Sequence, residues 1–261
     1  MTQVHRVVTG PADAPVVVLS NSLGSTTAMW DANLAGLEQH FRVVRYDTRG
    51  HGASPVPPGP YVIDDLVDDV LTLLDDLDVA RAHFVGLSLG GMTGLRLAAR
   101  EPDRVDRLVV LCTSAHLGPA SGWYDRAKTV RTEGTAAVAT AVVSRWFTPA
   151  LLPTERARSE AMVSSTPPEG YAACCEAIAT MDLRPDLPTI TTPTLAIAGA
   201  DDPATPPPHL AAIADSVRDG RLLVVPNAAH LANAEQPAII TPAIVEHLTV
   251  TKPGRHSVLP V

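Results

Sequence analysis

Cysteine is scarce in this 261-residue chain, which contains only Cys112, Cys174 and Cys175. Three cysteines cannot build the disulfide framework that stabilises small secreted proteins. None of them is spaced from another cysteine or from a histidine as the ligands of a metal site are. We therefore expect neither a disulfide scaffold nor a bound metal ion. Aromatic residues are also few, at 4% of the chain.

Positive charge is limited and long apolar runs are missing. The chain has 20 Lys and Arg against 28 Asp and Glu, a net charge of −8, and no basic run. A surface that binds nucleic-acid phosphates or anionic membranes is therefore not expected. No apolar run approaches the roughly 18 residues of a membrane span, and the first residues do not resemble a signal peptide. We expect a cytoplasmic protein with no nucleic-acid or membrane partner, and composition leaves its oligomeric state open.

Strand and helix patterns alternate in the first half of the chain. A helical period with aspartates on its polar face covers residues 63–79, where Asp64 or Asp65 would cap the helix, and a second helix covers 92–100. This alternation predicts an α/β fold, with a mostly parallel central sheet and helices on both faces. The predicted strands are short β-branched runs: "PVVVLS" (15–20), "FRVVRY" (41–46), "AHFVGL" (82–87) and "DRLVVLC" (106–112).

The alternation stops after the fourth of these strands. Residues 117–183 are rich in alanine, interrupted by proline and helical in period, which predicts a helical cap (lid) inserted into the sheet domain. Residues 1–116 and 184–261 would form that core domain. The strand pattern returns in "TPTLAIAGA" (192–200) and "RLLVVPN" (221–227), followed by a helix near 242–249 and a polar, loose tail at 251–261.

A serine lies between two glycines at the junction of the third predicted strand and the next helix. The stretch reads Gly86-Leu87-Ser88-Leu89-Gly90. A tight strand-to-helix turn needs small neighbours around the serine, and the G-x-S-x-G pattern is typical of a nucleophile elbow. A serine that only caps a helix would explain the glycines less well. Ser88 is therefore the candidate nucleophile.

An elbow serine requires a histidine base and an orienting carboxylate, in the chain order serine, acid, histidine. Asp202 follows the strand at 192–200 and precedes a proline, which suits a loop leaving the strand, although Asp201 is an alternative. His230 follows the last predicted strand and is the preferred base, with His116 as a second choice. His51, in a glycine-flanked loop, is interpreted as a structural residue.

The oxyanion of an acyl-transfer reaction needs two hydrogen-bond donors. One would be the backbone amide of Leu89, directly after the nucleophile, because an elbow presents this amide to the substrate. The other would be the amide of Leu23, in a loop of small residues that follows the first predicted strand. An ordinary turn would also explain the sequence of that loop.

These motifs resemble those of the α/β-hydrolase superfamily, and within it the 3-oxoadipate enol-lactonases. The resemblance covers nearly the whole chain. It implies an α/β-hydrolase fold and a triad of Ser88, Asp202 and His230, with the Leu23 and Leu89 amides as oxyanion hole and no cofactor. It also implies hydrolysis of 3-oxoadipate enol-lactone in the β-ketoadipate pathway of aromatic degradation. The motifs are "LSNSLGSTTAMW" (19–30), "RYDTRGHGAS" (45–54), "FVGLSLGGM" (84–92), "SRWFTP" (144–149), "GYAACCEAIATMDLR" (170–184), "AGADDPATPP" (198–207) and "PNAAHLANAEQP" (226–237).

The implied substrate is a small anionic lactone, whereas the protein is acidic overall. A local cation is therefore expected, and Arg145 beside Trp146 is the candidate. Trp30, Trp123 and Trp146 are expected to line an apolar pocket. The alternatives are another serine hydrolase of this fold, such as a general esterase, a carbon–carbon bond hydrolase or a cofactor-free haloperoxidase. A non-catalytic receptor for a small molecule is a further alternative.

Overall fold

A seven-stranded sheet forms the centre of the protein, as seen in a computed structural model that describes residues 2–250. The strand order is β1-β3-β2-β4-β5-β6-β7. β1 pairs antiparallel with β3, and all other neighbours are parallel. The strands are β1 Arg6–Thr9, β2 Val16–Ser20, β3 Arg42–Tyr46, β4 Ala82–Leu87, β5 Val105–Leu111, β6 Thr194–Gly199 and β7 Gly220–Val225. The predicted α/β architecture is confirmed, and β1 is the single strand that precedes β2.

Helices connect and cover the strands. Every residue of β4 and of β6 is buried, so both faces of the sheet are covered there, because alternate side chains point to opposite faces. The helices are α1 Asp31–Leu37, α2 Ile63–Asp75, α3 Leu89–Arg100, α4 Ala120–Glu133, α5 Ala136–Trp146, α6 Pro153–Ser164, α7 Pro168–Thr180, α8 Pro207–Ser216, α9 Ala232–Glu235 and α10 Pro237–Thr249.

Several predicted helix boundaries need correction. α2 ends at Asp75 rather than at residue 79, and α3 begins at Leu89, three residues before the predicted start. The N-cap of α2 is Val62 rather than an aspartate, and Asp65 in the first turn accepts the Val62 N–H at 2.9 Å. α10 begins at Pro237, five residues before the predicted start, because proline suits the first helical turn, where an N–H has no partner. The tail predicted to be loose, 251–261, lies outside the described residues.

Four helices, α4 to α7, lie between β5 and β6 and occupy the segment predicted to be an insertion. Cys174 and Cys175 are buried in α7, and burial raises the pKa of the Cys175 thiol to about 12. Both cysteines therefore act as small apolar core residues. Among residues 2–250, no helix is long and apolar enough to cross a membrane.

Candidate active site

Ser88 occupies a strained turn between β4 and α3. Its backbone has φ 56° and ψ −113°, a conformation that non-glycine residues rarely adopt. The turn is possible only because the flanking residues lack side chains. A Cβ atom on Gly86 would lie 2.1 Å from the Gly90 carbonyl oxygen, and one on Gly90 would lie 2.4 Å from the Ser20 carbonyl oxygen in β2. Glycine is therefore required at both positions of the motif, because backbone atoms of other residues lie too close for a side chain.

The end of β5 holds the elbow in place from the other side. The Ser88 N–H donates to the Leu111 carbonyl at 2.9 Å, and the Thr113 hydroxyl donates to the Ser88 carbonyl at 2.7 Å. Gly91 allows this contact, since a Cβ there would lie 2.7 Å from Thr113 Cβ. Hydrogen bonds to both the N–H and the carbonyl of Ser88 thus hold its backbone in this strained conformation.

His230 and Asp202 are joined in a buried pair. His230 Nδ1 lies 2.8 Å from Asp202 Oδ2, and both side chains are buried. Asp201 is exposed, and its backbone N–H donates to Ala228 instead. His116 is exposed, with its Nδ1 against the Met181 carbonyl. Of the alternatives that the sequence left open, the structure brings Asp202 and His230 together.

Thr205 is a partner of the carboxylate that the sequence analysis missed. Its hydroxyl donates to Asp202 Oδ2 at 2.7 Å, and the amides of Ala204 and Thr205 donate to Oδ1 at 2.8 and 3.1 Å. Burial alone would raise the pKa of Asp202, but the bonds from His230 and Thr205 outweigh it, so the pKa is lowered. The threonine three residues after the aspartate, in "DDPAT", was the available signal.

The Leu23 and Leu89 amides have no hydrogen-bond acceptor in the described part of the chain. Leu23 lines the same cavity as Ser88, and Leu89 is the first residue of α3. The two segments are tied together because the Gly90 N–H donates to the Asn21 carbonyl at 3.0 Å. The predicted oxyanion hole, which needs two such donors, remains a prediction for these two amides.

His51 supports the loop that carries Leu23. Its Nε2 accepts the Gly24 N–H at 3.0 Å, and its Nδ1–H donates to the Arg49 carbonyl at 3.2 Å. The ring is completely buried, and this burial lowers its pKa to about 4. A neutral ring is what this pair of bonds needs, because a protonated Nε2 cannot accept a hydrogen bond. The structural interpretation of His51 agrees with its position.

A cavity of about 330 Å³ opens above the elbow. Ser88 and His230 lie at its base, and Trp123, Arg145 and Trp146 line it from the inserted helices. Trp30 does not line it, so that prediction is wrong. Its side chain is fully buried in the core, and its indole N–H donates to Asn21 Oδ1 at 3.0 Å. Trp30 thus supports the oxyanion loop from behind rather than facing the cavity.

Arg126 and Tyr171 are lining residues that the sequence analysis missed. The Arg126 guanidinium lies over the Trp123 ring, 4.6 Å from its centroid, three residues along the same helix. The buried Tyr171 hydroxyl has no hydrogen-bond partner among residues 2–250. Neither Arg126 nor Arg145 forms an ion pair within that range, and burial together with the nearby Arg126 lowers the pKa of Arg145. The cavity therefore presents two unpaired cations and a free phenol.

The described side chains do not provide the set of ligands that metal sites in proteins use. Residues 2–250 contain no group of three or more His, Cys, Asp and Glu that could hold a metal ion.

Cys112 lies near the pair formed by Asp202 and His230, with its Sγ 3.7 Å from the Ala229 carbonyl, and burial raises its pKa. A thiol kept protonated in this way is a poor nucleophile.

Comparisons with known proteins agree with this geometry. The family described as alpha/beta hydrolase fold matches residues 15–237. The chain is 41% identical over 247 residues to 3-oxoadipate enol-lactonase 2 of Acinetobacter baylyi, covering 90% of this chain and 89% of that protein. It is 31% identical over 244 residues to a Stutzerimonas stutzeri protein provisionally named carbamate hydrolase RutD, covering 90% and 92%.

A solved structure shows the same likeness in three dimensions. The enol-lactonase from Burkholderia xenovorans LB400 superposes with a TM-score of 0.93 and 44% sequence identity, over 95% of this chain and 97% of that one. The family match spans well over half of the chain, and it includes the elbow and the loops of Asp202 and His230. The chain therefore belongs to the α/β-hydrolase family and is an enzyme of the hydrolase class.

Proposed function

We propose that this protein hydrolyses 3-oxoadipate enol-lactone to 3-oxoadipate. The observation that carries the proposal is the cavity itself, which is lined by Ser88 and by two arginines, Arg126 and Arg145, that form no ion pair within residues 2–250. The substrate has the matching chemistry, since it combines a strained enol ester with a free carboxylate. The likeness to enol-lactonases supports this choice among hydrolases. The reaction belongs to the β-ketoadipate pathway of aromatic degradation, and we propose a cytoplasmic location for it.

In the first step, the Ser88 hydroxyl attacks the lactone carbonyl and His230 accepts its proton. Asp202 holds the imidazole in the tautomer with Nδ1–H and stabilises the imidazolium that forms. The Leu23 and Leu89 amides donate to the tetrahedral oxyanion. In other enzymes, the loss of one such donor costs about 2.7–4 kcal/mol of transition-state stabilisation.

Collapse of the tetrahedral intermediate breaks the acyl carbon–oxygen bond of the ring. The leaving group is an enolate, which is much less basic than an alkoxide, and it becomes the ketone after protonation. Because the ring is opened rather than split, both halves stay on Ser88 as one acyl chain. His230 then activates a water molecule that cleaves this ester and returns the serine. No step requires a metal ion or an organic cofactor.

The free carboxylate of the substrate would be bound by Arg145, Arg126 and the Tyr171 hydroxyl. A net charge of −8 repels an anion at long range, so binding must come from local cations. Trp123 and Trp146 supply apolar contacts to the ring. All five side chains come from residues 117–183, and we propose that this segment is the cap that determines specificity over a core of residues 1–116 and 184–261.

The test is the loss of ultraviolet absorbance of freshly generated 3-oxoadipate enol-lactone, measured with the wild type and with Ser88→Ala. p-Nitrophenyl acetate is the control ester. Fast lactone opening that disappears in the variant, with poor turnover of the control ester, is the expected result. Turnover of the ester without the lactone would reject this substrate and favour a general esterase. Binding of the lactone without turnover of either compound would favour a receptor.

A further inference from the structure

Glu235, the last residue of α9, joins two parts of the active site. Its Oε2 accepts the Ala229 N–H at 2.7 Å. Its Oε1 accepts both the backbone N–H and the hydroxyl of Thr148, at 2.8 and 2.7 Å. One half-buried carboxylate therefore receives three hydrogen bonds from two segments that are far apart in sequence.

Each of these segments carries a residue of the proposed chemistry. Ala229 directly precedes His230, and Thr148 follows the end of α5, where Arg145 and Trp146 line the cavity. A further bond joins the same segments, since the Leu231 N–H donates to the Trp146 carbonyl at 2.8 Å. The backbone on both sides of His230 is thus fixed to the end of α5, and Glu235 makes three of the four bonds.

We propose that Glu235 is a positioning residue that holds the His230 loop and the end of α5 as one unit. It touches no reacting atom. Its carboxylate sets where the base lies relative to Ser88, and also how far Arg145 lies from the base. This inference rests on the proposed roles of His230 and Arg145.

A carboxylate suits this position because every group that it contacts is a donor. An ionised carboxylate only accepts hydrogen bonds, through two oxygens. A glutamine in the same place has one accepting oxygen, and its NH₂ group would face an N–H donor. Glu235→Gln therefore removes the bonds to either Ala229 or Thr148 while the side-chain volume stays nearly the same. It tests the hydrogen bonds more specifically than a truncation, which would also leave a cavity.

The experiment compares Glu235→Gln and Thr148→Val with the wild type, using the enol-lactone and p-nitrophenyl acetate. Glu246→Gln, an exposed glutamate on α10, is the matched control. We expect Glu235→Gln to lower kcat by roughly tenfold to a hundredfold on both substrates, because a displacement of about 1 Å can cost about a hundredfold. We expect Thr148→Val to raise KM for the anionic lactone severalfold with kcat within twofold, and Glu246→Gln to change neither.

Thermal unfolding of each variant separates positioning from stability. A Glu235→Gln protein that is folded at the assay temperature but has reduced kcat supports the inference. A Glu235→Gln protein with a lower Tm but with kcat and KM within twofold of the wild type overturns it. If Glu235→Gln does not fold, an unchanged KM in Thr148→Val overturns the inference instead. The ester assay keeps this test separate from the proposed function, because the ester reports the triad even if the lactone is not the substrate.

Discussion

His230 Nδ1 lies 2.8 Å from the Oδ2 atom of Asp202, whereas the adjacent Asp201 points to solvent. Two carboxylates that are neighbours in sequence therefore have opposite environments. The Asp202 side chain is enclosed by bonds from the Ala204 and Thr205 amides and the Thr205 hydroxyl. These bonds keep it ionised although it is buried, which is the state in which it can orient a histidine.

The two aspartates should differ in their effect on kcat when each is changed to asparagine. We expect Asp202→Asn to lower kcat by about 10⁴-fold, because an asparagine favours the wrong imidazole tautomer, as the same change does in serine proteases. Asp201→Asn, which removes the same charge one residue away, should stay within twofold. Initial rates with the enol-lactone measure both. Equal losses in the two variants would contradict the assignment of Asp202.

Arg126 and Arg145 should matter only for substrates with a carboxylate. We expect Arg126→Gln or Arg145→Gln to lower kcat/KM for p-nitrophenyl hydrogen glutarate by roughly 10- to 100-fold, since a hydrogen bond to a charged group contributes about 1.5–3 kcal/mol. The neutral ester p-nitrophenyl valerate has a similar length and should be affected less than twofold.

The control for these two variants is Lys128→Gln. Lys128 is exposed on α4, the helix of Arg126, so the variant changes the net charge equally but leaves the cavity unchanged. It should leave the preference for the anionic ester unchanged. If all three variants weaken the anionic ester to the same extent, long-range attraction rather than a local site explains the result.

Strands and the elbow were predictable because their signals are local. β-branched runs mark β2 to β5, and the glycines on either side of Ser88 mark the turn between β4 and α3. The bounds of β1 are less predictable because it is a four-residue edge strand, "RVVT", that pairs with β3. Long-range pairing of this kind leaves no periodic signal in a four-residue segment.

The cavity lining was less predictable because it depends on how helices pack. Trp30 follows "STTAM" and Trp146 follows "VVSR", and neither segment indicates that the first tryptophan packs in the core while the second lines the cavity. Arg126 resembles a solvated surface arginine in "WYDRAK", and only the packing of α4 against α7 brings it to the cavity beside Tyr171. Composition and spacing carry no information about that packing.

Gly90→Ala should destabilise the protein and reduce its activity. A Cβ at this position would lie 2.4 Å from a backbone oxygen of β2, which cannot move away as a flexible side chain could. We expect a loss of about 1–3 kcal/mol in the free energy of unfolding, as for other overpacked sites. Gly122→Ala is the control, since no atom lies within 4 Å of its added Cβ in α4. That variant should be unchanged or slightly more stable in urea denaturation.

The buried His51 predicts how stability depends on pH. Its pKa is lowered to about 4 in the folded protein, whereas an unfolded histidine has a pKa of about 6.5. Between these values the unfolded chain binds more protons, so the contribution of His51 is complete above about pH 6.5 and decreases as the pH falls toward about 4. From pH 7.5 to pH 5 this linkage amounts to about 2 kcal/mol of unfolding free energy.

His51→Gln tests that prediction, because glutamine can still accept the Gly24 N–H but does not titrate. We expect the free energy of unfolding, from urea denaturation at pH 7.5, 6.5, 5.5 and 5.0, to fall more steeply for the wild type. The difference between the two proteins isolates His51, since His83 and His247, whose pKa values burial also lowers, are present in both. A difference that stays constant with pH would mean that His51 has the same pKa in the folded and the unfolded chain, which would contradict the prediction.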